Sequence, residues 1–486
     1  MLGTIAALGA VVGLATRAHR RVGLGAVAGR RSTRNVAVAR LGARLGTDYA
    51  STAARKAFAS AARREELDRQ RELRSAEDIA DTLGNLKGAL MKLGQMAAYL
   101  DEGLPEPLRI ALSQLQSQAP PMAPELAAGV VESELGAPPE KIFAEWDPTP
   151  IAAASIGQVH RAIWRDPATG QERAVAVKVQ YPGVDKAISA DLDNTDLIGT
   201  IFAQAFKGLD PAPMVAELRA RIGEELDYAN EAANQRQFAD FYRGHPFIHV
   251  PEVIDALSTR RVLTTELATG SPWAEVLTWS QEQRDLAAES IFRFVFRSLY
   301  RFGAFNGDPH PGNYLFNPDG RVTFLDFGLV KHFTDDEMDT FIAMITSAVL
   351  TPDWGRFREI LETAGLLRRD APVPTDVVGE YFSHFYDAVG EDRVVTWSPE
   401  YASATVRQTF DRSSPIAQYA TVPASFVIIQ RINLGLYAIL GQLRARGNYR
   451  RIAEEMWPMT NAPPSTPMGH IEATWLAAQG PGRASA

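Results

Sequence analysis

The chain has 486 residues, of which 46% are hydrophobic and 22% charged, so it is long enough to form two or three domains with sizeable cores. It has no cysteine, which excludes disulfides and thiolate metal sites, and its eight histidines do not cluster at ligand spacing, which argues against zinc or iron–sulfur chemistry. The net charge of −8 argues against nucleic acid as the main partner.

The first 47 residues differ from the rest in charge, because they carry eight arginines and no acidic residue. They open with MLGTIAALGAVVGLAT, an uncharged run shorter than the roughly 20 residues that span a bilayer. This pattern predicts attachment to an anionic membrane from its cytoplasmic face, peripherally or through the N-terminal segment. The alternative is a processed or disordered leader of a cytoplasmic protein, although a targeting peptide would carry its basic residues before the apolar run.

Residues 48–145 are predicted to form a helical extension. Ala, Leu, Glu, Arg and Lys dominate the sequence, and no proline occurs until Pro105. Apolar residues recur at three- and four-residue steps from Ile79 to Met96, which indicates a helix with one buried face. Prolines at 120, 121 and 124 then interrupt the chain before a short helical stretch.

The pattern becomes β-like in residues 146–270. Two β-prone runs flank the turn sequence RDPATGQE, which predicts a hairpin followed by a strand. In the strand AVAVKVQ, Val175, Val177 and Val179 share one face, while Ala176 and Lys178 share the other. Helical sequence resumes at residue 187, and RRVLTTEL predicts a further strand.

Residues 271–460 are predicted to be mainly helical. Nothing strand-like of any length follows LDFG, and LVKHFTDDEMDTFIAMI is interpreted as helix. The segment SFVIIQRINLGLYAILGQLRA predicts a helix interrupted by Arg431 and too polar to span a membrane. Residues 461–486, rich in Pro, Gly, Ala and Ser, are predicted to be a flexible tail.

The segment AAASIGQV lies where a phosphate-binding loop would precede the lysine strand. Small side chains let backbone amides approach phosphate oxygens, although alanine gives less conformational freedom than glycine. Taken alone, the segment is equally typical of a small-residue strand and turn. The predicted nucleotide-contacting residues, which include Lys178 and a hinge residue after the last strand, are Ala152, Ala153, Ala154, Ser155, Ile156, Gly157, Ala176, Lys178 and Glu266.

Lys178 is a candidate catalytic residue because of its surroundings in the sequence. In phosphoryl transfer, a strand lysine pairs with the α- and β-phosphates and is held by a carboxylate on a helix. An acidic helix follows the strand here, and spacing alone does not choose among its carboxylates, which are Glu224, Glu225, Asp227 and Glu231. Without such a partner, a lysine on a strand is usually just solvated.

The stretch NGDPHPGNYLFNPDGRVTFLDFG carries the remaining candidates. Asp308 and Asn313 are five residues apart, as in the kinase loop H-R-D-x-x-x-x-N, and Asp326 opens a DFG. Oxygen ligands of this kind suit Mg²⁺. Each part alone is typical of turns and hairpins. Their order after the small-residue loop, the lysine and the acidic helix predicts binding of ATP and Mg²⁺.

These segments resemble the UbiB/AarF family of atypical protein-kinase-like proteins, which is associated with coenzyme Q biosynthesis. The resemblance covers roughly residues 75–450 and rests on KLGQ, AAASIGQVH, ELD, GDPHPGN and LDFG. It implies a bilobal α+β protein-kinase-like fold with an N-terminal helical extension over the pocket, an N-lobe at 146–270 and a C-lobe at 271–460.

The resemblance also implies roles for individual residues. Lys178 would pair with Glu231, and Asp308 would be the catalytic aspartate. Asn313 and Asp326 would hold Mg²⁺. The residues that would belong to an inhibitory extension are Lys92, Gln95, Glu225 and Asp227.

We therefore expect an atypical kinase or ATPase that binds ATP or ADP at a membrane, with lipids or isoprenoid-quinone intermediates and a second copy of the chain as candidate partners. The lack of an A-P-E motif after DFG argues against a peptide-docking platform. Gly307 before Asp308 leaves open a small-molecule phosphotransferase of the aminoglycoside or choline kinase type, which would lack the KLGQ extension. A non-catalytic, nucleotide-gated membrane scaffold is the third hypothesis.

Overall fold

A computed structural model of the protein describes residues 123–154, 156–182, 226–307, 309–409, 414–416, 418–421 and 423–479. The predicted membrane-associating segment and most of the predicted helical extension lie outside these ranges. So do six of the candidate site residues, which are Lys92, Gln95, Ser155, Glu224, Glu225 and Asp308.

The described chain forms a lobe built on a sheet, the sheet lobe, followed by a helical lobe. The strands are β1 (Glu145–Ala154), β2 (Gly157–Arg165), β3 (Glu172–Gln180), β4 (Ile248–His249), β5 (Val262–Glu266), β6 (Ala304–Asn306), β7 (Tyr314–Phe316), β8 (Val322–Phe324), β9 (Val330–His332), β10 (Val395–Thr396) and β11 (Arg446–Gly447). The helices are α1 (Pro124–Leu135), α2 (Pro139–Ile142), α3 (Tyr228–Phe241), α4 (Trp273–Val276), α5 (Gln281–Phe302), α6 (Asp335–Ile345), α7 (Trp354–Thr363), α8 (Thr375–Ser383), α9 (Asp387–Gly390), α10 (Pro399–Thr409), α11 (Ala424–Leu443), α12 (Tyr449–Glu454) and α13 (Pro467–Ala478).

The sheet lobe contains a four-stranded antiparallel sheet in the order β1-β2-β3-β5. The predicted hairpin is confirmed, because β2 and β3 pair around the turn in which the Asp166 amide donates to the Gln171 carbonyl at 2.9 Å. Gly170 in this turn has a φ of 72°, a left-handed conformation that glycine adopts without strain. The predicted strand in RRVLTTEL is β5.

Helix α1 packs on the sheet lobe, although its residues were predicted to belong to the helical extension. Ala127, Val130 and Val131 are buried in one apolar cluster with Val175 and Val177 of β3. The alternation predicted for β3 is therefore correct, since its valine face lies against α1. The core of the sheet lobe thus starts before the predicted boundary at residue 146.

Helix α5 is the central helix of the helical lobe. It starts at a capping box, in which the Ser280 side chain accepts from the Gln283 amide and the Gln283 side chain accepts from the Ser280 amide, and it ends at left-handed Gly303. Its buried face includes Ile291, Phe294 and many other apolar residues. This face joins α11 and the β7–β8 hairpin in a single core.

The prediction that LVKHFTDDEMDTFIAMI is helix is wrong for residues 330–332. Val330–His332 form β9, which pairs antiparallel with β6, and the helix begins only at Asp335 after the cap at Thr334. The partner strand lies more than twenty residues earlier, so local periodicity could not reveal the pairing. The helix predicted around Arg431 is present as α11 and is continuous.

The prediction of a flexible tail is wrong for residues 467–478, which form α13. The Thr466 side chain caps this helix, and Met468 and Glu472 are buried against the helical lobe. Arg293 and Arg297 of α5 hold Glu472 by hydrogen bonds of 2.7 Å and 2.9 Å. Among the helices in the described ranges, none is both long and apolar enough to cross a bilayer.

Candidate active site

Lys178 lies on β3, on the opposite face from the buried valines, and its side chain is 18% exposed. Its Nζ atom donates to both carboxylate oxygens of Glu231, at 2.7 Å and 2.8 Å. The same Nζ atom lies 3.8 Å from an Asp326 carboxylate oxygen. The structure therefore brings together three predicted site residues from a strand, a helix and the DFG segment.

The geometry distinguishes two of the carboxylates that the sequence left open. Glu231, on the first turn of α3, is the partner of Lys178 and is itself 5% exposed. Asp227 was predicted to lie within the same helix. It instead caps the helix, because its side chain accepts a hydrogen bond from the Ala229 amide at 3.0 Å. Asp227 therefore fixes the start of the helix that carries Glu231.

The pKa of Lys178 is raised above its ordinary value despite burial. Burial alone would lower the pKa of this ammonium, but the charges of Glu231 and then Asp326 outweigh it. Lys178 is consequently a fixed positive charge rather than a proton donor. A fixed charge beside a partly exposed carboxylate is the arrangement expected for binding phosphate groups.

Sequence reasoning missed Tyr228, which completes the surroundings of Lys178. The lysine Nζ atom lies 5.0 Å from the centre of the Tyr228 ring, within the range of a cation–π contact. Tyr228 precedes Glu231 by three residues on α3, so both side chains project from the same helix face. An aromatic residue at this spacing from the lysine-holding glutamate was the available indication.

The β7–β8 hairpin positions Asn313 and Asp326. Tyr314 pairs with Phe324, and the turn between the strands is the predicted NPDG sequence, with Gly320 at a φ of 91°. Asn313 precedes the first strand and Asp326 follows the second, so both lie at the open end of the hairpin. The Leu325 amide donates to the Asn313 carbonyl at 2.9 Å and fixes this end.

Backbone contacts hold Asp326 in place. One carboxylate oxygen accepts from the Gly328 amide at 2.9 Å. The carbonyl oxygen of Asp326 accepts from the Asn306 side chain at 2.7 Å. Asn306, which sequence reasoning also missed, lies on β6, two residues before Asp308. It therefore joins the DFG segment to the predicted catalytic segment.

Asp308 lies outside the described residues, but both of its neighbours are described. The Gly307 amide donates to the Leu329 carbonyl at 2.7 Å, and a Cβ atom at Gly307 would lie 2.8 Å from Leu329 Cγ. Protein kinases carry arginine at this position of the loop. Leu329 leaves no room for such a side chain here, which explains the glycine.

The alanine-rich segment forms the end of the β1–β2 hairpin rather than an open loop. Ala152 and Ala154 pair with Val159 and Gly157, while Ile156 is buried and accepts from the Tyr181 amide at 2.9 Å. A Cβ atom at Gly157 would lie 2.3 Å from the Val179 carbonyl oxygen, so no other residue fits there. The hairpin end is thereby fastened to the lysine strand. Ala153 is likewise in β1 and pairs with Gln158.

The two remaining predicted nucleotide contacts lie on adjacent strands. Ala176 shares the Lys178 face of β3 and pairs with Thr265. Glu266 ends β5, and one of its carboxylate oxygens lies 3.4 Å from His249 Nε2. The pKa of Glu266 is lowered mainly by this hydrogen bond. Its side chain therefore contacts β4, and Glu266, which was predicted to be the hinge residue after the last strand, is instead the last residue of that strand.

The donor set suits a hard cation that uses few protein ligands. No group of three or more histidine or acidic side chains in the described ranges is arranged to hold a metal ion. Mg²⁺ commonly takes one or two protein oxygen ligands and completes its shell with water and phosphate. The amide oxygen of Asn313 and the carboxylate of Asp326 fit that pattern.

Comparison with known proteins agrees with this geometry. The profile of the ABC1 atypical kinase-like domain matches residues 114–361. Atypical kinase COQ8B, mitochondrial, from Rattus norvegicus is 34% identical over 276 residues, which cover 56% of this chain and 51% of that protein. Atypical kinase coq-8, mitochondrial, from Caenorhabditis elegans is 27% identical over 76% of this chain and 49% of that protein. The chain thus spans about half the length of these curated relatives.

A solved structure is similar over a larger share of both chains. It is the complex of Rv3197 with erythromycin from Mycobacterium tuberculosis, which is 32% identical to this chain and superposes with a TM-score of 0.59. The match covers 81% of this chain and 98% of the other. The kinase-like arrangement of mixed helices and sheets is therefore shared.

Proposed function

Because the chain belongs to the ABC1 atypical kinase-like family, also known as UbiB/AarF, we propose that it binds Mg²⁺–ATP and hydrolyses it or transfers its terminal phosphoryl group. The observation that carries this proposal is the contact of Lys178 with Glu231 beside Asp326. These three residues come from separate elements, and their order in the chain is that of a phosphoryl-transfer site.

In this proposal, each residue has a distinct task. Lys178 binds the α- and β-phosphates, and Glu231 keeps its ammonium group in position. Asp308 orients the nucleophile and accepts its proton. Asn313 and Asp326 would hold Mg²⁺, which neutralises charge on the phosphate oxygens when it is bound. The chain's own contribution is therefore positioning and electrostatics.

The nucleotide would lie along the Lys178 face of β3, beneath the end of the β1–β2 hairpin. Ala176 leaves space on that face for a flat base, and the alanines at 152–154 allow the backbone to approach phosphates. Ser155, Ile156 and Gly157 would form the tip, and Glu266, at the end of β5, would lie at the hinge. ADP would occupy the same position.

The setting we propose is a membrane, with an isoprenoid-quinone or lipid intermediate as phosphoryl acceptor or regulator. The family resemblance supports this setting, and so does the arginine-rich N-terminal segment. We also propose that Lys92 and Gln95, with Glu225 and Asp227, form an extension that limits access to the site. Docking of that extension would disfavour a large protein acceptor.

The experiment is ATP turnover by the full chain with Mg²⁺, with and without anionic liposomes that contain a soluble quinone-precursor mimic. We compare the wild type with Asp308→Asn and with the control Lys141→Ala, whose side chain is exposed on α2. We expect turnover that rises with liposomes, disappears in Asp308→Asn and is unchanged in the control. Equal turnover in Asp308→Asn would refute the role of Asp308.

Nucleotide binding, measured separately, distinguishes an enzyme from a scaffold. Asp308→Asn should still bind Mg²⁺–ATP, whereas Asp326→Asn should weaken binding because it removes a metal ligand. If the wild type binds nucleotide but turns over no faster than Asp308→Asn, the scaffold hypothesis replaces the enzyme. Absence of binding to the wild type would overturn both.

Erythromycin is a second candidate ligand, because the similar Mycobacterium tuberculosis protein was solved in complex with it. Calorimetric titration of the full chain with erythromycin, with and without Mg²⁺–ATP, tests this candidate. Saturable binding would support it. No heat of binding under conditions in which Mg²⁺–ATP binds would remove it.

A further inference from the structure

The helical lobe contains a cavity of about 190 Å³ that the proposed phosphoryl-transfer site does not use. Its walls come from α5, α6, α8 and α11, and Phe296, Phe341, Phe382 and Ile429 are among the lining residues. The exposed residue Thr421 also lines it, and therefore marks where it reaches the surface. The cavity lies within the lobe's two apolar clusters rather than between the lobes.

A space of this size is unusual inside a protein. Packed interiors contain few voids larger than a water molecule. An apolar cavity of about 150 Å³ in another protein stays dry and binds benzene. The present cavity is somewhat larger, so it has room for one six-membered ring with a short substituent. Macrolides, which are macrocycles carrying sugars, are far too large for it.

The chemistry of the walls restricts the ligand further. No charged side chain is found among the lining residues that the structure describes, so a nucleotide, a free phosphate or a carboxylate would lose its hydration without compensation. The described lining therefore favours an uncharged occupant. Most of its surface must be apolar, because aromatic and aliphatic side chains form most of the wall.

Three tyrosine side chains add hydroxyl groups to this largely apolar wall. Tyr300, Tyr386 and Tyr437 all line the cavity, and burial raises the pKa of each, so all three remain protonated. The Tyr437 hydroxyl donates to the Phe385 carbonyl at 3.2 Å. Among the described residues, the hydroxyls of Tyr300 and Tyr386 have no hydrogen-bond partner, and both residues are only partly buried. They can donate to a ligand.

We propose that this cavity is a binding site for an uncharged, mainly apolar small molecule that carries one hydrogen-bond acceptor, such as an aryl ketone. The ring fills the aromatic pocket, and the acceptor oxygen receives the hydrogen bond that Tyr300 or Tyr386 does not make within the protein. The site is separate from Lys178, so binding requires neither nucleotide nor turnover.

Two probes of nearly equal shape test the proposal. Acetophenone carries the acceptor, and ethylbenzene lacks it. Both are titrated into the full chain without nucleotide, and binding is followed by ligand-observed NMR and by the melting temperature. We expect saturable binding of both probes, with acetophenone bound at least fivefold more tightly. In the double variant Tyr300→Phe/Tyr386→Phe, the two probes should bind equally, while Tyr419→Phe, whose ring lies outside the cavity lining, should keep the difference.

Filling the cavity provides the second test. Ala388 is buried in α9 and lines the cavity, so Ala388→Leu fills empty space and should abolish binding of both probes without lowering the melting temperature. Ala168→Leu, in the exposed β2–β3 turn, is the size-matched control. If Ala388→Leu does not fold, Leu434→Trp fills the cavity from α11.

Two results would overturn the proposal. One is wild-type protein that binds neither probe up to the solubility limit. The other is a folded filling variant that binds both probes as tightly as the wild type. Equal affinity of the two probes for the wild type would refute the role of the tyrosine hydroxyls and with it the predicted class of ligand.

Discussion

The Lys178 cluster and the Glu472 cluster are both groups of buried ion pairs, and they differ in access. In the first, Lys178 contacts Glu231 and Asp326, and the Asp326 side chain is 33% exposed. In the second, Glu472 lies between Arg293 and Arg297, and all three side chains are at most 4% exposed. A ligand can therefore reach the Lys178 cluster but not the Glu472 cluster.

The two clusters also differ in the elements that their ion pairs connect. Arg293 donates to Glu289, Glu455 and Glu472, and Arg297 donates to Glu472. This network fastens the C-terminal helix α13 to α5. The ion pairs of Lys178 instead join β3 to α3 and to the DFG segment, and the Asp326 carboxylate among them is partly exposed. Burial and ion pairing alone therefore do not identify an active site, whereas access to a partly exposed charge does.

The largest expected effect is on stability, from Glu472→Gln. This change keeps the shape of the side chain but leaves the Arg297 guanidinium buried without its anion, which typically costs about 3–5 kcal/mol. We expect the free energy of unfolding in urea to fall by that amount, while Mg²⁺–ATP affinity of the folded variant stays unchanged. Glu359→Gln, which removes an exposed surface partner of Arg356, is the control and should change neither quantity. A stable Glu472→Gln variant would contradict the structural role.

The next effect, on turnover, comes from Lys178→Met combined with Glu231→Gln. Replacing both partners removes the pair without leaving a buried carboxylate unpaired, so stability should change little. Turnover should fall by about 10²–10³-fold, the usual loss when one preorganised electrostatic contact is removed. Comparison with each single variant completes a double-mutant cycle, which measures the coupling between Lys178 and Glu231. A double variant that keeps wild-type turnover would make the Lys178 cluster structural, like that of Glu472.

Short local patterns in the sequence predicted Lys178 and Asp326, whereas Glu231 was one of four carboxylates that spacing left open and was singled out only by the family resemblance. The valine alternation places Lys178 on the open strand face, and the hairpin turn places Asn313 and Asp326 at the same end. Tyr228 and Asn306 were missed because their contacts with Lys178 and Asp326 depend on the assembled fold.

The Glu472 cluster could not be predicted in the same way. Arg297 and Glu472 are 175 positions apart, and the composition around Glu472 is typical of a flexible tail. Strand β9 was missed for a similar reason, because its partner β6 lies earlier in the chain. Local patterns fix elements and hairpins, whereas contacts between distant segments depend on the fold as a whole.

A smaller effect, from Gly435→Ala, tests whether the helical lobe influences the Lys178 site. A Cβ atom at Gly435 on α11 would lie 2.4 Å from Pro309 Cγ, next to Asp308 in the chain. Overpacking of this kind typically costs about 1–3 kcal/mol in stability. We expect turnover to fall by about 10–100-fold, because a shift of Pro309 would misplace the neighbouring Asp308. Nucleotide affinity should change little. Gly129→Ala is the control, because no atom lies within 4 Å of a Cβ atom built at that position. This variant should be about 0.5–1 kcal/mol more stable than the wild type. Unchanged turnover in Gly435→Ala would show that the two regions act independently.

The smallest effect is a pH dependence of stability that originates in the Glu472 cluster. His245 donates from Nε2 to Glu472 at 3.0 Å, and its Nδ1 accepts from the Ile248 amide at 3.0 Å, so protonation would break the second bond. Burial lowers the pKa of His245, the bond to Glu472 opposes that shift, and the charges of Arg297 and Arg293 reinforce it.

Because the folded state binds this proton less readily than the unfolded state, stability should fall as the pH drops below about 6.5. A single group of this kind contributes a slope of at most about 1.4 kcal/mol per pH unit. Urea unfolding of the wild type and of His245→Gln between pH 7.5 and 5.5 measures this slope, and we expect it to be shallower in the variant. His470→Gln, on the exposed side of α13, should keep the wild-type slope. Equal slopes in the wild type and His245→Gln would show that the Glu472 cluster accommodates the protonated ring. The inference that this cluster is inaccessible would then be wrong.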